Sequence, residues 1–543
     1  MLKLKQMQIR WFKLVIIFAA LIFFKSPIPI NAQEAVQKNQ IKFGRLLRLI
    51  DGYYVDTANI NELTEKAIVH LLGELDPHSV YISKDEVEKM NEPLKGNFEG
   101  IGISFNIFKD TLLVVSVIQG GPSEKAGLLA GDRIVKIDNK NVAGIGLKNS
   151  DVMDMLRGKK GTTVELKVLR NRLSNLLGFT IVRDKIPINS LDASYMLNKS
   201  TGYIKLNKFS ATTLDEFTAA INDLKKENIQ NLILDLRGNG GGYLKTAIDI
   251  TGHFLNDNQL IVYTSGMNEP KKEYKSTSGG VFREGNLVIL IDEASASASE
   301  IVSGAIQDWD RGLIIGRRSF GKGLVQKPYF LTDGSMVRLT TAHYFTPSGR
   351  CIQKPYDQGV NKYKKDYQER LNHGELFSKD SVFLNDSLKY KTLINYRPVF
   401  GGGGIMPDIF IPLDTSKHFS YYNMLRRNNI INNFVLNYVD NNRKTLKNRY
   451  PEFESYNEKF QVNSEMIDMI VENGEKEGIK KVEESLTFTL DLIKKEVKAL
   501  IAHDIYSRNC FYKIFYQDDE AIKKAIEILS NKDQYNTLLV SSD

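Results

Sequence analysis

The order of apolar and polar positions divides the chain into segments of different texture. From 37 to about 90, apolar residues recur at helical spacing, as in FGRLLRLIDGYY and ELTEKAIVHLLGEL, and predict a small helical domain over 36–92. The turn residues Asp76-Pro77-His78-Ser79 interrupt it. Between 98 and 170 the pattern becomes that of short strands: GIGISF, LLVVSVI, RIVKIDN and TVELKVLR, with a short helix over 150–156. This predicts a compact β module over 96–172. From 180 to 414 strand and helix alternate. The apolar runs GYIKLNKF, NLILDLR, LVILID and GLIIG are separated by helices expected over 213–227, 244–255 and 298–309. That rhythm predicts an α/β core with a substantial parallel component. A polar stretch rich in Lys and Tyr, 354–400, breaks the rhythm and reads as a surface insertion ending at Gly401 to Gly404. Over 416–543 helical periodicity returns, as in SLTFTLDLIKKEVKALIAHDIY. The expected fold is thus multidomain α/β: helical segment, β module, α/β core and helical C-terminal appendage.

The N-terminus carries an address. Lys3, Lys5, Arg10 and Lys13 precede an unbroken apolar run of 11 residues over 14–24. That run falls short of the roughly 20 residues that span a bilayer. A Pro-containing stretch follows and ends at Ala32, so 1–32 reads as an export signal cleaved after Ala32. Ile30 at the −3 position keeps an uncleaved anchor open. Either way the protein is expected outside the cytoplasm, in the periplasm or cell envelope. Lys and Arg number 73 against 65 Asp and Glu, a net charge of +8 spread along 543 residues. With 42% hydrophobic and 25% charged residues, the chain is ordinary for a globular protein. Collagen, wholesale disorder and a multispan membrane protein are excluded. Two cysteines, Cys351 and Cys510, exclude a disulfide scaffold. No motif supports a nucleic-acid partner.

Three constellations carry candidate chemistry. Ser295, Ser297 and Ser299 alternate with alanines between the strand LVILIDE and an amphipathic helix. A serine at such a turn meets unpaired N–H groups and the positive end of a helix dipole, which suits an attacking hydroxyl. Any of the three fits on this ground. Lys322 stands between Gly321 and Gly323 at the edge of an apolar core, where desolvation would favour the neutral amine as a base, and Gln326 could orient it. The stretch from Gly316 to Lys322 imitates a phosphate-binding loop. However, Gly323 replaces the required Ser/Thr, and LVQKPYFLTDGSMVRLTT reads as a hairpin rather than a helix. The third constellation is the glycine-rich loop from Arg237 to Gly242, whose N–H groups could serve an oxyanion; Tyr243 spoils a dinucleotide fingerprint. His253 and His343 are the histidines of the ordered core, and His343 reads as a packed strand residue. No metal-ligand spacing is present.

In order along the chain stand YVD with LDPHS, FEGIGI, PSEKAGL with GDRI, LDLRGNGGG, SASASE, GRRSFGKGLVQ, and TPSGRCIQ with GIMPD. Together these motifs resemble the carboxy-terminal processing peptidases, tail-specific serine proteases with a PDZ domain. The resemblance covers about 43–414. It implies a Ser–Lys dyad with Ser297 as nucleophile and Lys322 as general base, supported by Gln326. It implies an oxyanion hole at the N–H groups of Ala298 and Gly241. The β module becomes a PDZ domain that holds a substrate's C-terminus by strand addition at Gly100, Ile101, Gly102 and Ile103. Arg157 is a candidate contact to the protease core. No metal, nucleotide or organic cofactor is implied. The partners implied are proteins or peptides with accessible C-termini. The insertion 354–400 and Cys351 depart from the family pattern. The region 416–543 lies outside it, where dimerisation, adaptor docking and a lid are all open. A non-catalytic PDZ scaffold is the alternative, disfavoured because Ser297 and Lys322 are both present.

Overall fold

The computed structural model describes residues 30–540 apart from 109, 119, 171–174, 384–385 and 414–418. The export signal expected over 1–32 falls almost wholly outside the described residues, as do the seams expected at 172 and 414–416. No helix among the described residues is long and apolar enough to cross a membrane. The chain forms two units, divided at Leu75. The first contains helices α1 (Ile30–Tyr53) and α2 (Ile60–Gly73). Asn59 caps α2 by accepting the Glu62 N–H. Apolar residues of this unit, among them Ile41, Leu46, Leu49, Val69 and Leu71, remain exposed.

The second unit opens with β1 (Val80–Ile82) and α3 (Lys84–Lys95), the strand being one that helical spacing concealed. Gly96 stops α3 in the left-handed region, where its N–H bonds the Glu92 carbonyl. The β module then follows: β2 (Asn97–Gly100), β3 (Ile103–Phe108), β4 (Thr111–Val117), α4 (Pro122–Lys125), β5 (Arg133–Ile137), β6 (Lys140–Asn141), α5 (Asn149–Leu156), β7 (Thr163–Leu169), β8 (Leu177–Val182) and β9 (Asp184–Pro187). Strands β3-β4-β5-β7-β8 form one antiparallel sheet, and β2 pairs with β9 as a separate ribbon. Along β7, Val164, Leu166 and Val168 are buried while Thr163, Glu165 and Lys167 face solvent, the period-two pattern of a sheet with one wet face.

The α/β core contains β10 (Leu191–Met196), β11 (Thr201–Leu206), α6 (Thr213–Lys226), β12 (Asn231–Asp235), α7 (Leu244–Gly252), β13 (Leu260–Gly266), β14 (Glu269–Lys275), β15 (Asn286–Ile291), α8 (Ala298–Asp308), β16 (Leu313–Gly316), β17 (Leu324–Phe330) and β18 (Met336–Phe345). The segment after it adds α9 (Val360–Asn372), β19 (Lys389–Lys391), β20 (Pro398–Phe400) and β21 (Ile409–Phe410). The main sheet runs β10-β11-β12-β15-β16-β21, parallel from β11 onward. A second, antiparallel sheet joins β1, β18, β13 and β14, with β17 on β18. The β17–β18 hairpin excludes the helix that a phosphate-binding loop at Lys322 would require.

Every residue of β11, β12 and β16 is buried, because the main sheet is covered on both faces. On one face Ile204, Leu232, Leu234 and Ile289 meet Phe217, Ile221, Ile250, Ile301 and Val302 of α6, α7 and α8. On the other, Tyr203, Ile233, Val288, Leu290 and Ile315 meet residues from the C-terminal region. That region is helical, as expected: α10 (Ser420–Arg427), α11 (Ile430–Arg449), α12 (Phe453–Lys459), α13 (Ser464–Lys476), α14 (Glu483–Ile505), α15 (Arg508–Phe515), α16 (Glu520–Ser530) and α17 (Lys532–Val540). Tyr421, Phe434, Tyr456, Ile493 and Val497 belong to a core of its own, while Ala521, Ile522, Ala525, Ile528 and Tyr535 of α16 and α17 press on the sheet. The Asn509 side chain bonds both the N–H and the carbonyl of Ser194 on β10. It thereby occupies part of an edge that would otherwise be open to a foreign strand.

The segment 354–400, expected on the surface, is bound into the core instead. Tyr363, Arg370, Glu375 and Leu376 are buried in it. Arg318 pairs with Glu375 at 2.6 Å, and Arg370 pairs with the same carboxylate at 2.7 Å. The high Lys content that suggested a solvated loop is misleading here. Lys354 is 5% exposed because Asp366 takes its charge at 2.8 Å and two aromatic rings face it.

Candidate active site

Ser297 is the residue just before α8, and its backbone is strained, with φ 56° in a non-glycine residue. Such a conformation costs about 1–3 kcal/mol and persists only where surroundings enforce it. Glu300 is one part of that enforcement. Its buried carboxylate accepts the Ser297 N–H at 2.7 Å, the Gly321 N–H at 2.7 Å, the Lys322 N–H at 3.0 Å and the Ser319 hydroxyl at 2.5 Å. Burial pushes the Glu300 carboxyl up to about 7, and these donors work against the rise. Tyr344 of β18 ties the same two segments from the other side: its hydroxyl donates to the carbonyls of Ser297 (3.1 Å) and Lys322 (2.6 Å).

The three serines separate by environment. Ser295 and Ser299 are fully buried. The Ser295 hydroxyl donates to the Leu236 carbonyl at 2.9 Å, and that of Ser299 to the Asn239 carbonyl at 2.8 Å. Ser297 is half-buried. The three hydroxyls, equivalent in the sequence pattern, thus differ in contact and exposure.

Lys322 is half-buried, and its ammonium nitrogen donates to Gln326 Oε1 at 2.9 Å rather than to Ser297. Burial, reinforced by Arg338, lowers the Lys322 pKa against the pull of Glu300 and Asp76. Gln326 Nε2 in turn donates to the His78 carbonyl. His78 comes from the turn before β1, which Asp76 braces by accepting the N–H groups of His78 (2.7 Å) and Ser79 (2.9 Å) and the Thr340 hydroxyl (3.0 Å). Burial and the nearby Lys322 push the His78 imidazole down to about 4, so it is neutral around pH 7.

The glycine-rich loop approaches Ser297 closely. A Cβ on Gly241 (φ +100°) would lie 2.8 Å from the Ser297 Cβ and from the Ala296 carbonyl oxygen, so glycine is required there. The Gly241 N–H donates to Asn239 Oδ1 at 2.9 Å in this conformation. The Ala298 N–H, in the first turn of α8, has no acceptor among the described residues. At the strand end, burial alone would raise the Asp235 carboxyl. Arg237, Lys205 and Tyr203 together overcome it and hold the group well below the usual carboxylate range. Arg237 also pairs with Asp519 of the C-terminal region at 2.9 Å.

In the β module a groove of about 130 Å³ lies between β3 and α5, lined by Phe98, Ile101, Gly102, Ile103, Phe105, Met153, Leu156 and Arg157. The carbonyl of Ile101 accepts the N–H and hydroxyl of Ser123 (3.1 and 2.7 Å), and that of Gly102 accepts the Ile118 N–H (2.9 Å). The N–H groups of Ile101 and Gly102 donate to no acceptor among the described residues. Gly100 stands apart, on β2 opposite Asp184. Arg157, expected to touch the protease core, instead pairs with Glu92 of α3 at 2.5 Å and lies over the Phe98 ring. The short reach from α5 to α3 satisfies its charge locally.

Glu300, Tyr344, His78 and Asn239 were not singled out as site residues from the sequence. For Glu300 the signal was present: a glutamate three residues after a serine at a helix start is the capping-box spacing. His78 was visible as a turn residue and as part of the LDPHS motif, with no site role attached to it.

Comparison with known proteins bears on these features. The profile described as peptidase family S41 matches 200–362, a PDZ domain profile matches 100–177, and a family of unknown function matches 421–507. A carboxy-terminal-processing protease of Bartonella bacilliformis is 36% identical over 343 residues, covering 62% of this chain and 78% of that protein. The carboxy-terminal processing protease CtpB of Bacillus subtilis is 35% identical over 333 residues, covering 60% and 68%. Among solved structures, a photosystem II D1 C-terminal processing protease is 30% identical, covers 58% of this chain and 90% of its own, and gives a TM-score of 0.33. A serine peptidase with a PDZ domain ahead of its protease core, this chain belongs to the carboxy-terminal processing proteases of peptidase family S41.

Proposed function

We propose that Ser297 and Lys322 form a catalytic dyad that cleaves exported proteins near their C-termini. The observation that carries the reading is the shared clamp of Glu300 and Tyr344, which brings the one half-buried serine of the three and a lysine of lowered pKa into a single site. Neutral Lys322 takes the proton of Ser297 Oγ as that oxygen attacks the scissile carbonyl. The resulting oxyanion is met by the Ala298 N–H and by the Gly241 N–H, once Asn239 releases the latter. The protonated lysine then gives its proton to the departing amine, and water, deprotonated by the same lysine, hydrolyses the acyl-enzyme. In the geometry described, Lys322 points to Gln326, so its turn toward Ser297 belongs to the substrate complex.

The unpaired N–H groups of Ile101 and Gly102 support binding of a substrate's terminal carboxylate, with its side chain in the apolar groove beside Ile103. Export rests on the basic-then-apolar segment before Ala32. Mass spectrometry of the protein from cell fractions tests it, a mature start at Gln33 being the expected result.

The deciding experiment measures cleavage of a loosely folded protein, and labelling by a serine-directed phosphonate, in Ser297→Ala, Lys322→Ala and Lys322→Arg. All three lose cleavage with unchanged melting temperature, since arginine keeps the charge but cannot act as a neutral base. Wild-type kcat/KM rises with pH as Lys322 deprotonates, along a limb below the ordinary lysine value of 10.5. Cleavage by Lys322→Arg at the wild-type rate would overturn the assignment.

A further inference from the structure

The segment 354–400 reads from the sequence as a surface insertion, yet its helix α9 lies against the loop that carries Lys322. Arg370 donates to the carbonyls of Arg318 (2.7 Å) and Ser319 (3.1 Å), gripping the loop on its approach to Gly321. The Lys354 ammonium sits 3.9 Å from the centre of the Phe320 ring and 4.3 Å from that of Tyr363. Tyr363 itself is buried, and its hydroxyl lies 2.8 Å from His78 Nε2. From there the contacts continue without a break. The His78 carbonyl accepts Gln326 Nε2, and Gln326 Oε1 accepts the Lys322 ammonium at 2.9 Å.

The orientation of the Gln326 amide is what this sequence of contacts controls. An amide has a donor end and an acceptor end, and only the acceptor end suits a lysine, which has donors alone when protonated. A carbonyl held opposite Nε2 selects that orientation. The His78 carbonyl is held at its backbone by Asp76 and at its side chain by Tyr363. The charged groups that face the imidazole are Lys322, Lys354 and Asp76.

We propose that Tyr363 is a positioning residue for the peptidase reaction: by holding the His78 imidazole it fixes the carbonyl that orients Gln326, and through Gln326 the direction in which Lys322 presents its amine. The segment 354–400 is then a brace for the base-bearing loop. This rests on Lys322 acting as the base.

Tyr363→Phe removes one hydroxyl and leaves the ring against Phe320 and Lys354. Its kcat on a peptide should fall about tenfold, the scale of one lost positioning hydrogen bond, with KM and melting temperature unchanged. Gln326→Ala should also be slower. The double variant Tyr363→Phe/Gln326→Ala should be no slower than Gln326→Ala alone, because both act on one element. Tyr367→Phe, exposed on the same helix, should match the wild type. Wild-type kcat in Tyr363→Phe, additive losses in the double variant, or a loss that tracks a lowered melting temperature would each overturn the proposal. Retained activity in Lys322→Ala would instead overturn the dyad, and the role of Tyr363 with it.

Discussion

The two large sheets of this protein follow opposite rules. In the PDZ domain, strand β7 alternates buried and exposed residues, and one face of the sheet is wet. In the protease core, β11, β12 and β16 are buried at every position, because helices cover both faces. The difference lies in where the cover comes from. The core's own α6, α7 and α8 close one face, while α16 and α17 of the C-terminal region close the other. A continuous apolar run therefore reports a second covering layer without saying which part of the chain supplies it.

The strongest test removes that layer. Deleting 508–543 should leave the apolar face of Tyr203, Ile233, Val288 and Leu290 exposed and yield insoluble protein, whereas deleting 97–187 should leave a soluble, cooperatively melting core. A soluble chain lacking 508–543 that melts like the full chain would break the comparison. Next in size is the ion pair joining the core to its C-terminal cover. Arg237→Gln removes the guanidinium from both Asp519 and the fully buried Asp235, leaving Asp235 only Lys205 and Tyr203, and should cost about 3 kcal/mol in chemical denaturation. Because Asp235 is held below its ordinary pKa, its contribution is present above the unfolded value of 3.8 and is lost as pH falls through the folded one. The acid-unfolding midpoint should therefore rise in this variant.

Neighbouring residues provide a sharper test. Ile233→Ala and Leu234→Ala point to opposite faces of β12, and each should cost about 2–5 kcal/mol. In β7 only one of two neighbours should matter: Leu166→Ala falls in the same range, while Lys167→Ala stays within about 0.5 kcal/mol. The smallest effect on stability is expected at the PDZ groove. Met153→Glu, on a half-exposed groove wall, should weaken binding of a peptide with an apolar C-terminus in a fluorescence titration, with the melting temperature unchanged.

Much of this architecture was legible in advance, since periodicity distinguishes a one-sided sheet from a buried one and marks where strand gives way to helix. Ser297 at a strand-to-helix turn and Lys322 between glycines stood out as candidates, although Ser295 and Ser299 fitted the turn equally and only the family resemblance preferred Ser297. What escaped was long-range. His78 looks like a turn residue until β18 folds over Asp76, and Tyr363 looks like loop composition until α9 meets the Lys322 loop. Arg157 found its partner in Glu92 because local charge satisfaction outweighed a longer reach. The Gly241 N–H, available on paper, is already bonded by Asn239, a competition that motif spacing does not reveal.

The placement of Tyr535 has a consequence for synthesis. Its hydroxyl bonds both the N–H and the carbonyl of Leu287, which lies 248 residues earlier. A ribosome therefore releases every strand of the main sheet long before the cover for its second face exists. Through that interval the chain presents a broad oily surface, and the nascent protease depends on chaperones or speed to avoid aggregation. The same order delays maturation. The glycine-rich loop that carries Arg237 and reaches Ser297 through Gly241 gains its Asp519 partner only when translation is almost finished, so it is among the last parts of the molecule to be secured.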